Sequence, residues 1–286
     1  MRHIITLSTI PPRFAGLGPT LTSLLRQSSR PEAVELYIPR TYRRFPEWGG
    51  ALPLVPDDVR IIRTDQDFGP ATKILPAALT YRGQDLDLIY TDDDQFHAPG
   101  WAAGFLVARK LHPGAALCAA ATTVARMGRD WHSQTPQPRA VVAPHYQDQI
   151  GFHLRRFIAK ATRRTAATPL QPRFRKLDAS GFADIAEGYA GVALRPDFLD
   201  DAAFDIPPVA WAVDDVWLSG HLARRGVPIW ADKGLNRVRA VLPVSQTEPL
   251  YNAVIDGANR PNANLASVDH MRRTYGIWGG EAVQST

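Results

Sequence analysis

The chain has one cysteine in 286 residues, Cys118, set in the small apolar run Ala115–Ala121. That excludes an internal disulfide and a cysteine-rich zinc site, and a lone thiol in such a run reads as buried. Nowhere do about eighteen apolar residues follow one another, so no spanning helix is expected. After Arg2 and His3 the apolar stretch Ile4–Leu7 is too short for the core of a secretion signal, and a cytoplasmic protein is expected. There is no low-complexity tract and no internal repeat; apolar and charged fractions of 45% and 21% suit an ordinary globular chain. One domain over residues 1–286 is the economical expectation.

Acidic residues are missing from one long stretch. Between Gln149 and Leu177 stand eight cations (Arg155, Arg156, Lys160, Arg163, Arg164, Arg173, Arg175, Lys176) and no Asp or Glu, while outside it 25 basic residues face 28 acidic ones. The net charge of +5 therefore belongs to one segment. Ile150, Leu154, Phe157, Ile158 and Ala161 share a helical face there. Such a helix either packs on the domain with a solvated basic face, or lies on an anionic membrane surface through residues 150–176. The second reading gives a peripheral place at the inner membrane surface. Nucleic acid is not expected, since one basic stretch without a recognised fold is too little.

The first half alternates strands and helices. His3–Ser8 is an apolar β-branched run stopped by Pro11-Pro12; Leu21, Leu24 and Leu25 give Gly18–Gln27 a helical spacing. Val34–Ile38 and Val59–Ile62 read as strands, Pro70–Leu79 as a helix, and Leu86–Tyr90 as a fourth strand. Further on, Trp101–Leu111 reads as a helix, Ala115–Val124 and Ile185–Leu194 as sheet, Val213–Arg225 as a helix and Val227–Trp230 as a strand. Residues 128–180 resemble an insertion. This alternation predicts a mostly parallel open α/β sheet flanked by helices, with ligands beyond the carboxyl ends of its strands.

Three clusters could carry chemistry. Asp92-Asp93-Asp94 follows the fourth strand directly. Three adjacent carboxylates repel one another unless a cation compensates them, and oxygen ligands suit Mg2+ or Mn2+. A solvated acidic turn or a helix cap would use the same residues. Asp67-Phe68-Gly69-Pro70-Ala71-Thr72-Lys73 places Gly-Pro at a helix start, where backbone N–H groups face the crevice and Lys73 is within reach of a phosphate. Asp214-Asp215 opens a helix. The dipole alone favours acids there, and a general base is the functional alternative. Trp211 and Trp217 flank the pair, and aromatic faces suit sugar rings.

In this order the elements resemble the GT-A glycosyltransferases, particularly the family 2-like group of bacterial enzymes. Ser8-Thr9-Ile10-Pro11-Pro12-Arg13 with Ser23–Ser28 is similar to that group's nucleotide-binding strand and helix. Asp67–Lys73 matches the loop entering the donor pocket, and Asp92–Asp94 falls where the family's DXD motif binds metal and diphosphate. Gly188-Tyr189-Ala190-Gly191 and Asp214-Asp215 resemble the acceptor-side segment and the catalytic acidic pair. The resemblance covers roughly residues 3–230, as an ordered set rather than motif by motif. It implies a donor part over about 1–100 and an acceptor part over about 101–280. It also implies a nucleotide-diphosphate sugar donor held by Ser8, Thr9, Arg13, Asp65, Gly69, Lys73, Asp92 and Asp93, and a metal (Mn2+ or Mg2+) on Asp94, Asp92 and a late His270. Asp215, with Asp214, would be the base, and Gly191, Tyr189 and Trp217 would meet a glycan or lipid-linked acceptor. Polysaccharide, lipopolysaccharide or glycoconjugate synthesis is the implied setting. One departure stands out: Leu36–Phe45 replaces the family's acidic, Ser-rich turn after the second strand, with Asp65 as the nearby substitute. Two rivals remain, a sugar-phosphate nucleotidyltransferase and a non-catalytic nucleotide-sugar-binding protein. The first normally has a glycine-rich loop after strand one, and Ser8–Ala15 has no glycine.

Overall fold

The computed structural model describes residues 1–127, 136–143, 176–241, 244, 247–248 and 260–279. All of the basic segment 150–176 except Lys176 lies outside them, and with it the membrane-surface reading; most of the expected insertion does too. Among the described residues no helix is long and apolar enough to cross a membrane.

The elements in chain order are β1 (His3–Ser8), α1 (Gly18–Leu25), β2 (Ala33–Pro39), β3 (Val59–Thr64), α2 (Leu75–Thr80), β4 (Asp87–Tyr90), β5 (Gln95–His97), α3 (Trp101–Leu111), β6 (Ala116–Cys118) and β7 (Ala121–Thr122). There follow β8 (Val141–Val142), β9 (Leu177–Ala179), β10 (Gly181–Ala183), β11 (Ile185–Ala186), β12 (Val192–Leu194), α4 (Asp214–Arg224), β13 (Ile229–Ala231), β14 (Val238–Ala240) and α5 (Arg260–Tyr275). Eight strands form one sheet in the order β10-β13-β6-β12-β4-β1-β2-β3. The pairs β3-β2-β1-β4 and β6-β13 are parallel, whereas β12 runs against both β4 and β6, and β10 against β13. The expected α/β class, a mostly parallel open sheet between helices, is what the structure shows.

Successive strand residues serve opposite faces, as the pleat requires. Ile4, Leu88 and Tyr90 pack with Ile74, Leu75, Leu218 and Leu222, while Ile5, Leu7, Leu36 and Ile89 pack with Leu21, Leu24, Trp101 and Phe105. Both faces are covered, which is why these strands read as apolar runs rather than as polar–apolar alternation. Two buried strand acids are paired. Glu35 accepts from Tyr37 and Tyr81 at 2.7 and 2.6 Å. Asp87, which opens β4, accepts from Arg109 at 2.8 Å, with both side chains 1% exposed. Arg109 also donates to the carbonyls of His112, Pro113, Ala115 and Ala193, so α3 pins the start of β4 and leaves its far end free for the acidic triplet.

Three sequence expectations change. The helix expected over Pro70–Leu79 is a 3-10 turn, Gly69–Lys73, followed by α2. Pro76 lacks an N–H and its ring crowds the carbonyl four residues back, so the helix cannot run through. The expected strand Ala115–Val124 divides into β6 and β7, and Ile185–Leu194 into β11 and β12, with β7 pairing β11 outside the main sheet. The second break falls at the turn Gly188–Ala190 and at Gly191, whose φ of +108° disfavours any side chain.

Two histidines are buried as neutral rings. His97 lies between the hydroxyls of Ser23 and Thr91, at 3.2 and 2.9 Å, and burial pushes it down to about 3. His221 lies between Trp217 and Tyr275 where α4 packs on α5, and neither ring nitrogen has a hydrogen-bond partner among the described residues. Burial, then Arg224, pushes it down to about 4. Both values lie below the usual 6.5, so the unfolded chain binds protons that the fold refuses. Stability should therefore fall as pH drops from about 6.5 towards 4, by up to about 1.4 kcal/mol per pH unit for each ring. His221→Phe should gain on the wild type in melting temperature as the buffer moves from pH 7.5 to 5; a gap that stays constant would show that His221 is not held neutral.

Candidate active site

Four parallel strands end at one edge, in Ser8, Pro39, Thr64 and Tyr90, and antiparallel β12 begins there with Val192 opposite Tyr90. The loops after β1, β3 and β4, the turn before β12 and the first turn of α4 are thereby gathered in one place.

Asp93 is the inward member of the triplet. Its carboxylate accepts from Thr9 Oγ1 and from Arg13, each at 2.6 Å, and its carbonyl accepts from Thr20 Oγ1 at 2.8 Å. Burial still holds its carboxyl above the usual range. Asp94 accepts from Gln95 at 2.7 Å and lies 3.6 Å from Arg13. Burial, then the charges of Asp93 and Asp92, pushes its carboxyl up to about 7. Asp92 is the most open of the three, with a side chain 36% exposed, and accepts from Lys73 at 2.6 Å. The last described part of the chain before α5 covers this end. Val241 N–H donates to the Asp94 carbonyl at 2.7 Å, and Arg13 Nε donates to the carbonyl of Thr247 at 2.8 Å.

Lys73 is not the exposed helix lysine that its position suggests. Its side chain is 5% exposed, and its ammonium lies 2.6 Å from Asp92 and 2.9 Å from Asp214. Burial opposes its charge, but Asp214, Asp92 and Asp215 outweigh burial and hold it well above the ordinary lysine value. The Asp214 contact is ionic: Oδ2 has no aligned hydrogen bond among the described residues. Asp215 accepts from the backbone N–H of Gly188 at 2.9 Å. Asp92 and Asp214, some 120 residues apart in the chain, thus meet on one ammonium.

Several expected residues lie elsewhere. Asp65 is 93% exposed and paired with Arg40 on the surface. The inward acid of that loop is Asp67, which accepts from the N–H groups of Arg43 and Gly69, each at 2.8 Å. The N–H of Phe68 is taken by Thr72 Oγ1, so the turn at Gly69 does not offer the row of free donors expected of a helix start. Gly69 is fixed by packing instead: φ is +59° and a Cβ would stand 2.9 Å from the Trp211 ring. Trp217 is 1% exposed in the core beneath α5, donating to the Ala203 carbonyl, and so has no face for an acceptor. His270 lies with it, ring centroids 6.3 Å apart, and not with the triplet; no three potential metal ligands come together among the described residues. Gly191 is buried against Trp101, while Tyr189, in the same turn, is partly exposed and Ser8 closes β1 half-buried. Thr20, Val241 and Thr247 stand outside every cluster that the sequence singles out, and Gly188, part of the acceptor-side resemblance, has there no role of its own. Gly188 and Thr247 act through backbone atoms, which carry no residue-type signal.

No family model and no curated protein sequence matches the chain. Among solved structures, S. aureus TarS 1–349 aligns over 96% of this chain and 72% of its own, at 12% identity and a TM-score of 0.43. The same fragment in complex with UDP-GlcNAc gives 96%, 73%, 12% and 0.44, and in complex with UDP 97%, 72%, 12% and 0.41. At these scores the likeness assigns neither family nor activity to the chain.

Gly188 has no room for a side chain. A Cβ there would stand 2.9 Å from Lys73 Nζ, 3.1 Å from Asp215 Oδ1 and 3.2 Å from the Tyr90 ring. Gly188→Ala should destabilise by about 1–3 kcal/mol in chemical denaturation. Gly114→Ala, with nothing within 4 Å of its Cβ, should change little. Equal effects would mean that the Gly188 contact is not a constraint.

Proposed function

We propose that the chain is a GT-A-type, family 2-like glycosyltransferase, moving a sugar from a nucleotide-diphosphate donor to a hydroxyl of a glycan or lipid-linked acceptor. The observation that carries this reading is the meeting of the strand-end triplet and the α4 acidic pair on Lys73. One cluster serves charge at the leaving diphosphate, the other a proton at the acceptor.

Asp94 and Asp92 would hold a divalent cation, Mn2+ or Mg2+, two carboxylates sufficing where phosphate oxygens and water complete the shell. Five carboxylates share this edge with Arg13 and Lys73, and burial, then the charges of Asp93 and Asp92, raises the Asp94 carboxyl to about 7, a repulsion that a bound cation would relieve. His270 is not part of this set. When bound, the cation supplies charge neutralisation for the diphosphate. Arg13, held by Asp93 and the Thr247 carbonyl, adds a fixed cation at the same end. Thr9 is fixed by Asp93, and Tyr42 donates to the Thr9 carbonyl at 2.8 Å, which sets the loop after β1 against the loop after β2.

Asp215 takes the proton of the acceptor hydroxyl, with the Gly188 N–H holding its Oδ1 in place. The acceptor oxygen bonds to the anomeric carbon as the carbon–oxygen bond to the diphosphate breaks, and the diphosphate leaves with that electron pair. A single displacement of this kind inverts the anomeric centre. Tyr189, partly exposed beside Gly188, is the acceptor-side aromatic of this reading. The setting is polysaccharide, lipopolysaccharide or glycoconjugate synthesis.

A panel of nucleotide sugars, with and without Mn2+, should contain one that raises the melting temperature, since ligand at 100 times its Kd stabilises by about 2.7 kcal/mol. Asp94→Ala should remove the metal-dependent part of that shift. Asp215→Asn should keep donor affinity within about threefold while lowering turnover by about 10²–10⁴. No shift with any donor, together with an indifferent Asp94→Ala, would end the transferase reading.

A further inference from the structure

We infer that Lys73 is a positioning residue and not a ligand of the donor: it fixes Asp214 as a permanent counter-charge and so leaves Asp215 as the proton acceptor. This rests on the transferase reading given above.

The two carboxylates on Lys73 are not equivalent. Asp92 is about a third exposed, so water can solvate it if Lys73 leaves. Asp214 is 4% exposed, and its Oδ2 has the Lys73 ammonium at 2.9 Å but no aligned hydrogen bond among the described residues. Removing one partner of a buried ion pair leaves an uncompensated charge that the interior solvates poorly. Asp214 therefore needs Lys73 more than Asp92 does, although the Asp92 contact is the shorter.

The surroundings hold the ammonium where it is. The Tyr90 ring centroid lies 5.6 Å from Nζ, and the bare Cα of Gly188 leaves too little room for even one further carbon.

Adjacent residues on a helix point about 100° apart. In the first turn of α4 one acid turns inward to Lys73 and the next accepts from the Gly188 N–H. Without the ammonium the two neighbouring charges would oppose each other, and only the Gly188 N–H would still hold Asp215. With it, one acid is neutralised and the other is oriented.

The test is a double-mutant cycle of wild type, Lys73→Met, Asp214→Asn and Lys73→Met/Asp214→Asn, read by melting temperature, donor Kd and kcat at saturating donor. Lys73→Met should lose on the order of 10 °C. Its kcat should fall at least about 100-fold and its donor Kd should stay within about fivefold. The double variant should melt above Lys73→Met, because the carboxylate that needed the cation is gone. If Lys73→Met does not fold, recovery of a folded double variant supports the pairing, and failure of both overturns it. Additive melting shifts would also overturn it. So would a Lys73→Met that loses donor affinity about 100-fold or more while keeping kcat, which would make Lys73 a donor ligand. If the wild type turns over no donor, the transferase reading fails, and the stability cycle still decides whether Lys73 serves Asp214.

Discussion

Carboxylates from two distant stretches of this chain can sit together at the strand ends because an ammonium is buried between them. Lys73 arrives there on the 3-10 turn that follows β3, and that turn exists because Pro76 prevents one continuous helix. Had the helix run through from Pro70, Lys73 would lie one turn into a regular surface helix. The local break, which would usually be taken for punctuation, thus sets the electrostatics of the whole edge.

Charge at this edge is organised in pairs of unequal depth. Arg13 serves the buried Asp93 and the more open Asp94; Lys73 serves the buried Asp214 and the more open Asp92. Lys73 has one partner that needs it and one, Asp92, that water can also serve, whereas both partners of Arg13 are largely buried. Deep pairs of this kind add little net stability, because desolvation offsets attraction, but they fix geometry strongly. The shallow partners, Asp92 and Asp94, are the ones a cation or phosphate from solution could reach.

The sheet was legible in the sequence because its strands are buried on both faces and so appear as short apolar runs between Pro and Gly. Asp92–Asp94 and Asp214-Asp215 were legible because acids directly after an apolar strand or at a helix start are conspicuous. What failed did so for physical reasons. Trp217 and Asp65 were chosen by closeness in sequence, and a helix or loop turns neighbours in different directions: Trp217 faces the core under α5, Asp65 faces water. His270 was chosen by position late in the chain, which says nothing of which helix face it occupies. Gly188 and Thr247 contribute an amide and a carbonyl, which every residue type but one can supply in full. The depth of Lys73 follows from tertiary packing and has no local signature.

The bridge from Lys73 to Asp214 also orders events in time. On a ribosome, Asp92 and Lys73 have both emerged when Asp214 is still roughly 120 residues from being made. At about 5–20 residues per second, the nascent chain carries the lysine without its deep partner, 141 residues further on, for roughly 7–28 seconds. Over that interval the loop after β3 has only its shallow, hydrated contact to fold onto. Completion of this edge therefore depends on α4, and a truncated product ending before residue 214 would leave the ammonium without the charge that draws it inward.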